Sequence, residues 1–390
     1  MKKKAIIILL IFFTAISYSQ TYEYNYTLGV SGVSGSDNSH FNEPSGIDFD
    51  SNFNIYVTDR NNQRVQIFSP NGIHFNSFSS GSGNYNFNFV NAIAIDNFDN
   101  LFLMNDNTQE IFKYDAFFNY VTEISHNGVG DIATDGNNIY STWFNMYNIN
   151  IYNNSLILQS TFGTNVSDSS NAGFVFPVGV GVDNSGTIYV ADRNHHRVQV
   201  INSVGQYVTT LGVPGVSGSD NSHFNLPHDV AVDPITNNIF VADTGNDRIQ
   251  VFDSSFNYLS TIGGNGNGLG NDQFSYPTNI SVDVFGNVYV SDKSAHRVQV
   301  FTPSTLSTQN IRDMHNVSVF PNPAIETLNL KTPFSTNYIT INNILGQQVL
   351  KTQKRSKNFN IDISGLTQGL YLIEIKNNYG VKILKRFLKN

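Results

Sequence analysis

The stretch FNLPHDVAVDPITNNIFVADTGNDRIQVF, Phe224 to Phe252, decides the fold because it returns. Phe274 to Phe301 reads FSYPTNISVDVFGNVYVSDKSAHRVQVF. Phe176 to Ile201 reads FPVGVGVDNSGTIYVADRNHHRVQVI, and Phe41 to Phe68 reads FNEPSGIDFDSNFNIYVTDRNNQRVQIF. Two divergent copies fill the interval: FNFVNAIAIDNFDNLFLMNDNTQEIFKY from Phe87 to Tyr114, and GVGDIATDGNNIYSTWFNMYNINIY from Gly128 to Tyr152. The aspartate closing the first apolar run sets the period. It falls at Asp50, Asp96, Asp135, Asp183, Asp233 and Asp283, in steps of 46, 39, 48, 50 and 50. Each unit holds three β-branched and aromatic runs separated by Asp/Asn/Gly turns, then a fourth such as YLSTIG at Tyr258–Gly263. A four-stranded unit of this length repeated around an axis is a propeller blade. Six units predict an all-β fold with a six-bladed β-propeller.

The pattern P…VAVD…IFVAD…NDRIQVF resembles the NHL repeat, clearly in four units and weakly in the two divergent ones. The resemblance covers about residues 22–301 and implies the same six-bladed propeller. The last unit has only three strands before TPSTLSTQN. The chain's start, YEYNYTLGVSGVSGSDNSHFN, matches QYVTTLGVPGVSGSDNSHFN of the fourth blade, whose YVTTLG is an outer strand. Residues 24–28 are therefore expected to supply the missing outer strand of blade 6. Eleven residues, GVSGSDNSHFN, are identical at Gly32–Asn42 and Gly215–Asn225. They read as a connector between blades. Their Asp37, His40, Asp220 and His223 are also the residue types of a local calcium or other divalent cation site.

Asp59, Asp192, Asp243 and Asp292 end second strands, and Arg64, Arg197, Arg248 and Arg297 start the third strands five residues later. Fourfold repetition argues for structural hairpin braces rather than four active sites. In blade 2, Asp106 is expected at the brace position with Glu110 in place of the arginine. Blade 3 has no such pair, so these two blades are expected to be the least stable. The pair His195–His196 occupies a turn position filled elsewhere by Asn62–Gln63 and Asn246–Asp247, which reads as a variable turn tip.

The residue after the proline of each unit enters the innermost strand. Ser45, Asn91, Val178, His228 and Thr278 are thus ligand-binding candidates at the channel mouth. Peptide-amidating lyases have a similar propeller, and in that family histidines from three blades hold zinc. Here His228 alone matches, whereas catalytic zinc takes three protein ligands. Gluconolactonase-type propellers hold a divalent metal through Glu, Asn and Asp around the channel, and nothing in this sequence fixes such a set. No catalytic residue is assigned and no cofactor is required. The expected function is a binding or scaffold module for a protein, peptide or glycan. The alternative is a propeller hydrolase, lactonase or lyase with a metal site at the central channel.

The address is more explicit. Residues 1–19 carry three lysines, a short apolar run and small residues ending at Ser19, with cleavage expected before Gln20. That run is too short to span a bilayer, so no membrane span remains after signal removal. There are no cysteines, which excludes disulfides and thiolate metal sites. Residues 21–312 carry 26 acidic and 9 basic side chains, against 4 and 10 in residues 313–390. The acidic body makes nucleic acid an unsuitable partner, and the break in charge marks a boundary. The organisation expected is signal peptide 1–19, propeller 20–301, linker 302–314 and terminal domain 315–390. The last segment alternates in short runs and predicts a small Ig-like β-sandwich. Its VFPNPA, NILGQQV and DISGLTQGLYLIEI resemble the type A C-terminal sorting domain of the type IX secretion system. By that resemblance Pro321, Asn322, Pro323, Gly346, Gly365, Gly369 and Tyr371 are signature positions. It implies a Bacteroidetes-type cell, Sec export, passage across the outer membrane through that machinery, and a secreted or cell-surface product.

Overall fold

The computed structural model describes residues 20–79, 87, 89–125, 128, 130–304, 317–332, 336–343, 346–353, 356–377 and 382–390. The signal segment 1–19 and most of the linker lie outside the described residues. The repeats form six four-stranded antiparallel sheets. In blade 1 the strands are Pro44–Phe49, Ile55–Asp59, Arg64–Phe68 and His74–Phe78, from the axis outward. Blade 5 repeats this as Val230–Val232, Ile239–Asp243, Arg248–Phe252 and Tyr258–Gly263. Runs such as RVQVF alternate because a strand sends successive side chains to opposite faces. Both faces here are buried between neighbouring blades.

The core is accordingly not one cluster but six, one per blade interface. Val198 and Val200 of blade 4 meet Ile239 and Val241 of blade 5. Leu28, Val298 and Val300 of blade 6 meet Ile55 and Val57 of blade 1 in the same way. The interface that closes the ring is thus as apolar as the others. Tyr22–Leu28 lies antiparallel on Arg297–Pro303, and the sheet runs Tyr22–Leu28, Arg297–Pro303, Val288–Asp292, Pro277–Val282. The outer strand of blade 6 comes from the start of the chain and is seven residues long. Gln20 extends the attachment: its carbonyl accepts from Ser260 Oγ and its Oε1 from Asn238 Nδ2, both at 2.8 Å.

The terminal domain is a β-sandwich. One sheet orders Ser318–Phe320, Thr327–Lys331 and Asn358–Asp362, and the other Gln348–Thr352, Thr336–Asn343, Gly369–Asn377 and Lys382–Lys389. Leu328, Leu330, Ile339, Ile341, Ile373 and Phe387 fill it. Phe285, from a blade 6 turn, packs into the same cluster. Among the described residues no helix is long and apolar enough to cross a membrane.

Candidate functional site

Each blade exposes two kinds of end. Its tight turns between inner and second strands lie on one face of the ring, the turn face. The crossings between blades and the short 3-10 turns lie on the other, the connector face. Between them the inner strands surround the channel. Its waist is lined by Ser45, Asn91, His228 and Thr278, together with Gly130, Asp131, Asp229 and Asn279. Val178 is not among them. Its side chain is buried and its carbonyl accepts from Thr142 Oγ1 at 2.7 Å.

The waist thus shows two consecutive residues in several blades. In blade 6 a register shift between Pro277 and Asn279 is the cause, and in blade 5 His228 and Asp229 both bond Ala242; comparable shifts at Pro44–Ile47, Pro177–Gly179 and Val90–Ala92 mark blades 1, 4 and 2. A bulge breaks strict alternation and re-aims a side chain. It turns Asn279 inward beside Thr278.

Most polar groups here are committed to joining blades. Asp48 accepts from Ile95 N at 2.6 Å, Asp131 from Val180 N at 3.4 Å, Asp229 from Ile280 N at 2.8 Å, and Asn279 Oδ1 from Ile47 N at 3.1 Å. Each reaches from one inner strand to the next, satisfying amides that have no ladder partner on that side. Ser45 Oγ donates to Asn91 Oδ1 at 2.8 Å, and Asn91 Nδ2 donates to the Gly130 carbonyl at 3.3 Å. Between blades 4 and 5 close approach takes over: a Cβ on Gly179 would fall 2.5 Å from the Asp229 Cα. Below the waist the channel widens into a cavity of about 280 Å³, into which Asp48, Asp131 and Asp229 face. Burial pushes Asp48 up to about 7 and Asp229 up to about 6. Burial, then the neighbouring Asp229 charge, pushes Asp131 well above the usual carboxylate range.

On the connector side two groups are uncommitted. His228 Nδ1 donates to the Thr278 carbonyl at 3.0 Å, which leaves Nε2 as an acceptor without a partner among the described residues. Desolvation, reinforced by Arg193 and Lys293, pushes this ring down to about 4, so it is neutral at pH 7. Thr278 Oγ1 is buried and has no partner. The residues that follow the second strands stand around the mouth. Arg60 donates Nε and Nη2 to Asp106 Oδ2 at 3.1 and 2.8 Å, and its Nη1 lies 3.5 Å from Glu43. Lys293 lies 3.6 Å from Glu43. Arg193 Nη2 reaches only the Tyr276 hydroxyl at 3.4 Å. Glu43, Phe89, Leu226 and Tyr276, where the chain enters the inner strands, all adopt positive φ. A bulky residue pays strain for this conformation.

The expected braces form, and each does more than hold a hairpin. The Asp–Arg pairs are 2.7, 2.9, 2.7 and 2.9 Å long at Arg64, Arg197, Arg248 and Arg297. The same guanidiniums reach the connector: Arg64 and Arg248 donate to the carbonyls of Asp37 and Asp220, both at 2.6 Å. The other oxygen of each aspartate accepts connector amides, as Asp243 does from Asn225 N at 2.6 Å. In blade 2 the position belongs to Asn105, which pairs in register with Glu110. Asp106 stands one residue beyond and serves Arg60, because the second strand ends at Asn105.

The duplicated connectors are stapled internally. Asp37 Oδ1 and His40 Nδ1 are 2.8 Å apart, as are Asp220 Oδ1 and His223 Nδ1, and Ser39 and Ser222 donate to the same carboxylates. Among the described residues no three His, Asp or Glu side chains converge as a metal site. Of the His195–His196 pair, His196 Nδ1 accepts from Leu226 N at 3.1 Å, across to blade 5. His296 does the same for Glu43 N at 3.1 Å.

In the terminal domain, Asn322 between Pro321 and Pro323 accepts from Leu388 N at 2.8 Å, tying the first strand to the last. Tyr371 donates its hydroxyl to the Thr367 carbonyl at 2.9 Å and stacks on Phe387. Gly346 closes a turn on Asn343 with φ of 74°, a conformation open to glycine. Gly369 opens its strand, and Gly365 lies in the turn before it.

These features define a secreted repeat propeller with an export domain. The NHL repeat model matches residues 41–68, 174–201, 224–252 and 274–301, and the secretion system C-terminal sorting domain model matches residues 318–390. The chain is an NHL-repeat β-propeller ending in a sorting domain. That domain directs it through the type IX secretion system to the cell surface or extracellular space. A probable peptidyl-alpha-hydroxyglycine alpha-amidating lyase of Caenorhabditis elegans is 34% identical over 158 residues, 40% of this chain and 45% of that protein. The chain spans about half or less of the curated relatives it matches. Among solved structures, a protein of unknown function from Bacteroides thetaiotaomicron aligns with a TM-score of 0.55 at 17% identity, over 73% of this chain and 76% of that one. A streptogramin B lyase aligns with a TM-score of 0.52 at 13% identity, over 74% and 99%. Both likenesses concern the fold.

Proposed function

We propose that the protein is a surface binding module whose propeller engages a protein, peptide or glycan at the connector-face mouth of the channel. The observation that carries this reading is the uncommitted hydrogen-bonding capacity of His228 Nε2 and Thr278 Oγ1. Their polar neighbours at the waist are spent on blade-to-blade bonds, while these two face a position that a ligand group would fill. The test is binding of the secreted protein to glycan and peptide arrays, compared with a His228→Ala/Thr278→Val variant. Ligands held by the wild type are expected to be lost from the variant, and equal retention by both would overturn the assignment.

The similarity to the amidating lyase favours a second reading, an enzyme with a divalent metal at the channel, in which neutral His228 is the available nitrogen ligand. Metal analysis of the purified protein separates the two. Stoichiometric zinc or calcium lost on His228→Ala supports the enzyme.

A further inference from the structure

The charges around the mouth do not balance evenly. Arg60 is paired with Asp106 and Glu43, and Lys293 with Glu43. Arg193, from blade 4, has no carboxylate partner among the described residues. Its terminal nitrogens meet only the amide oxygen of Asn194 and the hydroxyl of Tyr276, both at 3.4 Å, and its Nε is buried without any partner. Contacts of that length are poor use of a guanidinium, whose fork matches a planar carboxylate with two short bonds. The Tyr276 hydroxyl that Arg193 meets belongs to a ring 6.4 Å from the His228 imidazole, which sets Arg193 beside the same waist.

We propose that the mouth takes a sugar acid, its carboxylate on Arg193 and a ring hydroxyl on His228 Nε2. This rests on the assignment of the mouth as a binding site and names its ligand class. Nε2 of a neutral His228 accepts and cannot donate, so it rejects a carboxylate oxygen and requires an O–H or N–H. Thr278 is 2% exposed and its Oγ1 has no partner among the described residues, and a hydroxyl can serve either an acceptor or a donor beside it. Tyr276 is 38% exposed at the mouth, with its ring 6.4 Å from the imidazole, and gives a flat wall for the apolar face of a pyranose. A polyol supplies several hydroxyls to such a set at once. Arg60 and Lys293 offset Glu43 and Asp106, so the single surplus charge of Arg193 matches a monoanionic carboxylate better than a dianionic phosphate. The waist beyond is too narrow for a sugar to pass, so the ligand binds end-on.

The experiment is titration of the full-length secreted protein with glucuronate, glucose, glucose 6-phosphate and N-acetylglycine, followed by the His228 imidazole proton resonances. Glucuronate is expected to saturate the site at least tenfold more tightly than the other three. Arg193→Gln is expected to abolish its advantage over glucose, and Thr278→Val, which preserves shape, to weaken it severalfold with an unchanged melting temperature. Equal binding of glucose and glucuronate, both sensitive to Thr278→Val, would overturn the carboxylate assignment and leave the mouth as the binding site. Glucuronate binding untouched by either substitution would overturn the mouth as well. Preference for N-acetylglycine would replace the sugar acid with a peptide-type carboxylate. No saturable glucuronate response in the wild type would end the proposal.

Discussion

At the scale of single residues, the most consequential side chain is Arg197, which is fully buried against an equally buried Asp192. Two charges taken from water are tolerable only when each has its partner. Arg197→Met is therefore expected to cost about 3 kcal/mol in denaturant unfolding, because Asp192 stays buried and unpaired. Adding Asp192→Asn should recover part of that loss. The channel acids act in the opposite sense. The folded state raises Asp48 and Asp229, so it holds protons that the unfolded chain releases near pH 4. Their stabilisation is complete below pH 4 and is lost as pH rises through about 6 to 7. His228 is depressed, so its contribution is present above pH 6.5 and is lost as pH falls through about 4. Between pH 6 and 7 the acids dominate, and the wild-type melting temperature should fall across that range and level off above it. Asp48→Asn should flatten the fall and raise the melting temperature at pH 8 by about 3 °C. An unchanged pH profile would show that Asp48 does not titrate there. The sequence made the four braces readable because they repeat at one spacing. Asp131 and Asp229 were not readable as channel residues, because each stands just ahead of its inner strand, Ile132–Thr134 or Val230–Val232, where strict alternation does not apply. Val178 was misplaced because the register shift between Pro177 and Gly179 falls on it.

At the scale of elements, the ring depends on a strand from the far end of the chain. Tyr22–Leu28 covers the edge that Arg297–Pro303 would otherwise present, and open edges invite pairing with other chains. It also buries Leu28 in the interface of blades 6 and 1, with Tyr24 edge-on to Phe301. Removal of residues 21–28 is expected to lower the melting temperature by about 10 °C and to promote self-association. Unchanged stability would mean that the ring closes without this strand. The strand was legible because the connector after it is duplicated word for word after blade 4. Both copies turn at a glycine of positive φ, Gly29 and Gly212, whose added Cβ would lie 2.7 Å from Phe41 and Phe224. Blades 2 and 3 are expected to be the least stable because they lack the Asp–Arg clamps. Blade 2 has Asn105 and Glu110 where blades 1, 4, 5 and 6 have Asp and Arg, so its connector lacks a guanidinium from this position. Backbone amides of Leu101–Asn105 should exchange faster than those of Ile188–Asp192 in native-state hydrogen exchange.

At the scale of the whole molecule, two parts of opposite charge meet. The sandwich lies on the turn face: Arg386 Nη1 is 2.7 Å from Asp99 Oδ2, Lys385 sits over the Phe53 ring, and Leu384 lines a cavity of about 390 Å³ beside Phe49 and Phe53. The proposed ligand mouth lies on the opposite, connector face, away from the export domain. This arrangement separates address from activity, and each can be altered alone. A periplasmic reporter joined to residues 312–390 is expected to reach the cell surface in a cell with the type IX machinery, since the signature positions lie within that segment and Asn322 and Tyr371 make their bonds inside the sandwich. Asn322→Ala removes the acceptor that ties Leu388 to the first strand, and it should reduce surface delivery while the propeller's melting transition stays unchanged. Periplasmic retention of the unmodified fusion would show that recognition needs the propeller as well, through contacts such as Arg386 to Asp99.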